Sequence, residues 1–526
     1  MHRSKEEPPN RSISPSASAG SSDFLQLDIG DAPAGGRSDW LARELRRAIA
    51  DGRLPVGSRL PATRVLAADL RVSRGVVTEA YQRLSEDGQL AGRGRGGTVV
   101  VAAPVTTAAT TTATAAKTAG PTPYARRTAA PFAAPPGPDI FDALRAAPAR
   151  IDLSPGVPDL AAFPRAAWLR AERAVLADLP AADFGYGDPR GAPALRTAVA
   201  DWLARNRGIR ADPDEVLIVA GTAQALGLIA QVLHRDGVRE IAVEDPGSLG
   251  ARQHLAHGGV GTPPVEVDEE GVRVDALRAS GARAVLLTPA HQFPTGVVLG
   301  GGRRRELMRW AADGGLIIED DYDAEHRYDR APVPALRSLL PEQVCYAGSV
   351  SKLLAPALRV GWLLAPPQYR EAFVDAKRFA DLGNAVLPQL VLARLMESGE
   401  LERGLRLVRR RHRRRRDAMI EAIRARLPGA TVQGAAAGLH LTITFGPGAL
   451  DTSDTDLAAA ALARGVKVHP LSWHSQRPAP PGLVLGYAAR TPGEIAEGVA
   501  AVGEALTGRR GGDRGPGGDR AGIRVR

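Results

Sequence analysis

The chain has 526 residues, 44% of them hydrophobic, with a formal net charge of +10 and a pI near 10.1. That length exceeds a single core, and the basic balance favours an anionic partner, nucleic acid before others. One cysteine, Cys345, excludes an intramolecular disulfide framework and any multi-cysteine metal site, and no metal is expected. Met1 to Asn10 is polar and charged and no run of 18 apolar residues occurs, so a cytoplasmic, nucleoid-associated protein with no membrane segment is expected.

Residues 1–36 are rich in Ser, Pro, Gly and charge and read as a disordered lead, in which Phe24, Leu25 and Leu27 are candidates to dock on the adjoining helical segment. From Ser38 to Gly52, Leu41, Leu45 and Ile49 recur at helical spacing, with Ser38 as the expected cap and Gly52 as the stop. After the turn Leu54-Pro55-Val56-Gly57, Thr63 is the expected cap of a second helix, Arg64 to Leu70. Val72-Ser73-Arg74 then opens a third, running to about Asp87. Two short helices joined by a tight turn, the second starting with Ser-Arg and exposing Thr78, have the form of a helix-turn-helix whose second helix enters the major groove. Residues 89–100 read as a hairpin with Arg93 and Arg95 set among glycines at its tip, a wing suited to the DNA backbone or minor groove. The competing reading is a three-helix interaction module with a solvated hairpin.

The stretch LPATRVLAADLRVSRGVVTEAYQRLSEDGQL resembles the GntR-type winged helix-turn-helix. The resemblance implies double-stranded operator DNA as partner, with Arg64, Ser73, Arg74 and Thr78 as contacts and Arg93 and Arg95 in the wing. Arg71 stands where the pattern usually has a glycine, and would be strained if its φ is positive. The expected winged helix covers residues 37–101. Residues 102–137, nearly all Ala, Thr and Pro, read as an extended linker.

A second domain is expected over residues 138–507. A turn-rich loop, Phe184 to Gly191, precedes a helix from Ala192 to Arg205. A strand from Glu215 to Ala220 runs into Gly221-Thr222-Ala223, a glycine turn opening a helix, where free N–H groups and the helix dipole can cradle a phosphate. Strand-like segments at Glu240–Val243, Ala284–Leu287, Leu316–Ile318 and Val344–Ala347 alternate with helical ones, which argues for a mainly parallel sheet with helices on both faces. The cluster Glu319-Asp320-Asp321-Tyr322-Asp323 falls at a strand's carboxyl end, where open α/β sheets bind ligands. A carboxylate there can keep a pyridine nitrogen protonated, and Tyr322 can donate to a phenolate. Lys352 follows a Gly/Ser turn and precedes Arg359. Its amine can form a Schiff base with an aldehyde, while Ser349, Ser351 and Arg359 suit a phosphate dianion.

From about Ile151 to Leu506 the chain resembles a fold-type I aminotransferase, and Thr288-Pro289-Ala290-His291-Gln292-Phe293-Pro294-Thr295-Gly296 is the version seen in MocR-type transcription regulators. The resemblance implies an α/β fold: an N-terminal winged helix-turn-helix joined by a long linker to a fold-type I, pyridoxal 5'-phosphate-binding domain with a small C-terminal α+β lobe. It implies Lys352 as the internal aldimine, Asp320 on the ring nitrogen, and Tyr322, with His291 or Gln292, toward the phenolic oxygen. Around the phosphate it places Ser349, Ser351, Arg359, Gly221, Thr222 and Ala223. Tyr186, from the Y-G-D-P-R-G loop, is expected to reach the neighbouring subunit's phosphate, which requires a homodimer. The function implied is a regulator that senses pyridoxal phosphate or an amine effector and controls vitamin B6, amino acid or amine metabolism. The alternatives are a pyridoxal-phosphate-dependent aminotransferase with an attached DNA-binding head, and a DNA-binding scaffold with an empty pocket.

Three positions depart from the enzymes. Phe293 replaces an Asn, and Ser248 and Leu249 stand where relatives often carry an aromatic residue. The last strand reads Leu483-Val484-Leu485-Gly486-Tyr487 where an Arg would fix a substrate α-carboxylate, with none until Arg490. A complete cofactor site beside an incomplete substrate site fits a sensor. The dense run Arg409 to Arg416 reads as a solvated helix face or as an auxiliary phosphate-contacting patch, and the tail from 508 to 526 as disordered.

Overall fold

The computed structural model describes residues 21–22, 25–33, 36–92, 97–102, 131–328, 333–446, 448, 450 and 452–510. Phe24, the wing arginines Arg93 and Arg95, and most of the expected lead, linker and tail lie outside the described residues. The chain divides into two units, Met1–Pro121 and Thr122–Arg526.

In the first unit, α1 (Arg37–Ala50), α2 (Thr63–Asp69) and α3 (Arg74–Glu86) close over Leu41, Leu45, Ile49, Leu66, Val77 and Leu84, the apolar positions of their helical periods. Strands β1 (Arg59–Leu60), β2 (Leu90–Gly92) and β3 (Thr98–Val100) form an antiparallel sheet in the order β1-β3-β2. Two expected caps are corrected. Gly36 and Ala62 occupy the cap positions, because Ser38 lies inside α1 and the Thr63 hydroxyl instead accepts a hydrogen bond from Arg74 Nε at 3.4 Å. The lead is also ordered in part, since Leu27 is buried in this core with Leu25 and Ile29 packed against it. Arg71, between α2 and α3, has φ +52°, the left-handed conformation expected of the glycine it replaces.

The second unit is built on an eight-stranded sheet. Its strands are β4 (Val216–Val219), β5 (Ala242–Asp245), β6 (Pro264–Asp268), β7 (Gly271–Val272), β8 (Ala284–Leu287), β9 (Leu316–Asp321), β10 (Val344–Ser349) and β11 (Gly361–Leu364). The order is β7-β6-β5-β8-β9-β10-β11-β4. Strands β6 to β10 run parallel along that order, and β11 is antiparallel to both neighbours. The central strands are apolar along most of their length because helices cover both faces, with β5 and β9 ending in acidic residues, and this is the α/β architecture expected. Strand β5 starts later than expected, since Glu240 makes only an isolated bridge to Gly261.

The smaller lobe is an antiparallel sheet of β12 (Ala430–Gln433), β13 (His440–Phe445), β14 (His469–Pro470) and β15 (Gly482–Gly486), ordered β12-β13-β15-β14. Leu441, Ile443, Leu483 and Leu485 share its apolar face with residues of the long helices Glu400–Arg426 and Pro492–Arg510. The last helix runs three residues past the expected boundary at 507. At the other end, Phe132, expected in the linker, stacks on Trp473 at 5.2 Å.

The basic run is only partly the solvated face expected, with Arg410, Arg413 and Arg414 exposed. The helical period turns part of it inward. Arg415 donates to Asp159 at 2.8 Å, Arg411 pairs with the same carboxylate at 3.2 Å, Arg409 donates to the Glu325 carbonyl, and Arg416 lies 5.0 Å over the Tyr328 ring. These guanidiniums hold the lobes of this unit together.

Because a non-glycine residue in the left-handed region costs about 1 kcal/mol or more, Arg71→Gly should raise the head's unfolding midpoint. Arg71→Val should lower it by a comparable amount, and calorimetry of the full chain checks both.

Candidate cofactor and DNA sites

At the carboxyl ends of β9 and β10, which pair through Asp320↔Ala347 and Asp321↔Gly348, the chain brings its acidic cluster beside the turn that carries Lys352. The Lys352 ammonium donates to the Gly156 carbonyl at 2.5 Å, and a Cβ on Gly156, whose φ is +74°, would stand 3.1 Å from Nζ. Burial lowers the Lys352 pKa, opposed by the negative charges of Asp323 and Asp320. Lowering that pKa favours the unprotonated amine, the form that can act as a nucleophile.

Strand alternation separates two adjacent aspartates. Asp321 turns into the core, where it accepts from Arg207 Nε and from the Tyr346 hydroxyl, both at 2.5 Å. Asp320 turns toward the cleft, and its Oδ1 is buried without a hydrogen-bond partner. Burial, reinforced by Asp321 and Asp323, pushes the Asp320 carboxyl up to about 7. Beside it, the Tyr322 hydroxyl lies 2.9 Å from His291 Nδ1, which also lies 3.0 Å from Asp323 Oδ2. His291 is buried between glycines: a Cβ on Gly438 would overlap its ring, and one on Gly296 would come within 3.1 Å of Nε2.

Opposite, Gly221 (φ +80°) caps the helix Thr222–Arg235, whose first turn contains Thr222 and Ala223. A Cβ on Gly221 would fill the space between Arg359 Nη1, 3.5 Å away, and Ser351 Oγ, 3.7 Å away. Ser349 Oγ accepts from the Ser351 N–H at 3.4 Å. A helix N-terminus, a guanidinium and two hydroxyls thus converge on one spot, the donor set a phosphate needs.

Residues 149–502 match the model of the aminotransferase class I and II family, and residues 38–100 match that of the bacterial regulatory proteins of the gntR family. The chain is 32% identical over 471 residues to the probable rhizopine catabolism regulatory protein MocR of Rhizobium meliloti, covering 87% of this chain and 91% of that protein. It is 30% identical to the HTH-type pyridoxine biosynthesis transcriptional regulator PdxR of Corynebacterium glutamicum, over 89% of this chain and 95% of that one. Among solved structures it resembles LysN, an alpha-aminoadipate aminotransferase of Thermus thermophilus complexed with N-(5'-phosphopyridoxyl)-L-leucine, at 29% identity and a TM-score of 0.63, covering 70% of this chain and 94% of that one.

The chain belongs to the MocR-type regulators of the GntR family. It is a DNA-binding transcription regulator whose larger unit has the aminotransferase fold and binds pyridoxal phosphate. The residues present fit that group. The orphaned Asp320 oxygen offers an acceptor for a ring N–H, and the Gly221 cradle would be filled by a Cβ. Of the positions expected at a MocR-type cofactor site, Lys352, Asp320, Tyr322 and His291 gather on one side and Gly221, Ser351 and Arg359 on the other. Tyr186 is not brought in: its side chain is 94% exposed.

Sequence reasoning missed the support of the phosphate loop. Lys377 is fully buried and donates to Gln224 at 2.9 Å, to Asp381 at 2.7 Å and to Asn384 at 2.5 Å. Gln224 also accepts from the Ala220 N–H, and Asn384 donates to the Arg359 carbonyl, fixing both sides of the cradle. Only the fold joins residues so far apart in sequence. Glu244, pushed up to about 7 by burial, accepts from the Thr288 N–H and hydroxyl and so holds the start of the His291 turn.

The three departures have structural counterparts. Phe293 meets Tyr322 edge to face at 6.1 Å. Ser248 caps the helix Leu249–His257. Arg490 is engaged by the Asp152 carbonyl at 3.2 Å and by Glu494 at 3.4 Å. In the MocR-type head, Arg64, Ser73, Arg74 and Thr78 are all exposed at or near the starts of α2 and α3.

The raised Asp320 carboxyl holds its proton in the fold to a higher pH than in the unfolded chain. Ligand-free stability therefore falls as pH rises from about 4 to about 7. Asp320→Asn removes that loss, so the ligand-free variant should be more stable than the parent at pH 8, by roughly 1–3 kcal/mol, with the gap closing below pH 4. It should also retain less pyridoxal phosphate. Thermal unfolding across pH and the absorbance of dialysed protein measure the two effects.

Proposed function

We propose that this regulator uses pyridoxal phosphate, anchored at Lys352, as the sensing group for an amine, and that ligand exchange there changes how its DNA-binding heads are presented in a homodimer. The observation that carries this is the pairing of a desolvated Lys352 amine with the partnerless carboxyl oxygen of Asp320. When bound, the cofactor supplies an aldehyde carbon that captures primary amines. This chain's residues do the rest. Asp320 accepts from the ring nitrogen and holds the proton there. The Tyr322 hydroxyl, oriented by His291 and Asp323, faces the phenolic oxygen. Gly221, Thr222, Ala223, Ser349, Ser351 and Arg359 grip the phosphate. Lys352, whose Nζ donates to the Gly156 carbonyl, would be the residue that anchors the group.

A homodimer is supported by an apolar patch around the Tyr186 loop. Phe184 is 58%, Tyr186 94%, Phe379 83% and Leu382 56% exposed, and Gly383 lies against Pro189 and Asp188 of that loop. A second copy would cover this patch and receive Tyr186 at its phosphate. Control of amine, amino acid or vitamin B6 metabolism is the regulatory output we infer, in keeping with the names of the relatives.

A second reading, a working aminotransferase with a DNA-binding head, is favoured by 33% identity over 290 residues to a 2-aminoadipate transaminase of Thermus thermophilus. Val484 on the last strand weighs against it.

Lys352→Ala should lose the cofactor on dialysis while still retarding a DNA fragment from upstream of its own gene, and that retardation should no longer respond to pyridoxal phosphate. Retention of the cofactor's absorbance by the variant would sink the assignment. Tyr186→Phe should weaken cofactor retention about tenfold, as loss of one hydrogen bond to a charged group does, without changing the sedimenting mass.

A further inference from the structure

The loop after β9 carries a buried histidine that the cofactor chemistry described above does not use. His326 is fully buried, as is His412 on the helix Glu400–Arg426, and their ring centroids lie 5.0 Å apart. Burial pushes the His326 pKa down to about 4 and lowers that of His412 as well, so both rings are neutral at physiological pH. A neutral imidazole has one proton to donate. His326 Nε2 lies 3.1 Å from the Lys352 carbonyl, which can only accept, so that proton sits on Nε2 and Nδ1 is left bare. Among the described residues, His326 Nδ1 and both ring nitrogens of His412 are buried without hydrogen-bond partners.

Packing alone does not call for an imidazole at 326. A phenyl ring of similar size would fill the same space beside His412 and leave no polar atom orphaned. What it would lack is the bond to Lys352. The turn there is closed by the Leu353 and Leu354 N–H groups, which donate to the Val350 carbonyl at 3.1 and 2.8 Å, and this leaves the Lys352 carbonyl to the His326 side chain. The backbone of His326 is itself fixed by the small lobe. Its carbonyl accepts from the Gly438 N–H at 2.8 Å, Tyr328 donates to the Ala436 carbonyl at 3.1 Å, and Arg327 and Ala437 form an antiparallel bridge. Gly438 is also the residue whose missing side chain makes room for the His291 ring. One short stretch of small-lobe backbone therefore sets His291 and, through His326, the main chain that carries the Lys352 amine. On the other side, Arg409 donates to the Glu325 carbonyl from the same helix as His412.

We infer that His326 is a positioning residue for Lys352: its Nε2–H holds the Lys352 carbonyl and so fixes where the amine stands in the cofactor site, while His412 supplies only the ring against which His326 packs. The inference rests on the proposed anchoring at Lys352, and the test separates the two. Full-length protein is loaded with pyridoxal phosphate beside its Lys352→Ala, His326→Phe, His326→Gln and His412→Phe variants. The loss of cofactor absorbance during dialysis and the visible circular dichroism of the bound cofactor are then recorded. A parent protein that does not hold the cofactor, or a Lys352→Ala protein that holds it equally well, overturns the anchoring itself.

His326→Phe should release the cofactor about tenfold faster than the parent, as loss of one hydrogen bond does, and with a weakened dichroic band. His326→Gln, which keeps an N–H donor at the ε position, should restore both readouts toward the parent's. His412→Phe, which has no hydrogen bond to lose, should leave both unchanged. Thermal unfolding of the cofactor-free variants checks that each is folded, and His326→Leu takes the place of the Phe variant where that one is not. Release from the donorless variant at the parental rate, no rescue by His326→Gln, or an equal acceleration in His412→Phe overturns the positioning role.

Discussion

The cofactor-binding unit is organised around an excess of buried carboxyl groups at the ends of its central strands. Glu244, Glu319, Asp320 and Glu325 are all pushed up into the range of about 7 to 8, with burial the largest cause in each. Most of the cluster has its charge managed locally. Asp321 is paired with Arg207, Glu319 accepts from the backbone N–H groups of Leu336 and Arg337, and Glu244 from Thr288. Asp320 and Asp321 each keep a buried Oδ1 without a hydrogen-bond partner, but only Asp320 lacks a paired guanidinium and lies toward Lys352. A buried acceptor without a partner is costly in the isolated chain, and the same cost becomes affinity when a ring N–H arrives. The site is thus built to be completed, at some loss of ligand-free stability at neutral pH.

Completion requires that the phosphate end be held rigidly. The positive φ of Gly221 and of Arg359 brings a helix terminus and a guanidinium together, and the fully buried Lys377 braces both sides through Gln224 and Asn384. The anionic end can then be gripped while the ring and its amine partner change. On the small-lobe side, glycines at 296 and 438 let His291 pack against the backbone. The inward arginines of the helix Glu400–Arg426 tie that lobe to the rest through Asp159, the Glu325 carbonyl and the Tyr328 ring. The proposed ligand cleft is therefore framed by buried side chains that are hydrogen-bonded to one another.

Much was legible in order along the chain. The helix-turn-helix pattern, the βα alternation, the acidic strand end, the lysine turn and the missing strand arginine are local signals carried by periodicity and short motifs. What failed was also local in kind. Ser38 and Thr63 look like caps, but propensity does not show that Arg74 claims the Thr63 hydroxyl. The arginine run looks solvated because composition does not show that a helical period presents Arg409, Arg411, Arg415 and Arg416 to partners more than 80 residues away in one case and more than 200 in another.

The sequence by itself determined the two-part organisation, the fold class and the residue types of a cofactor site, because strand and helix periods and glycine turns are properties of neighbouring residues. The tertiary structure alone decided that Asp320 rather than Asp321 faces the cleft, that Lys377 braces the Gly221–Arg359 cradle, and that histidines of the small lobe pack against the turn that carries His291. Strand register, burial and the electrostatics of desolvated groups depend on contacts between segments hundreds of residues apart, and no local pattern records them.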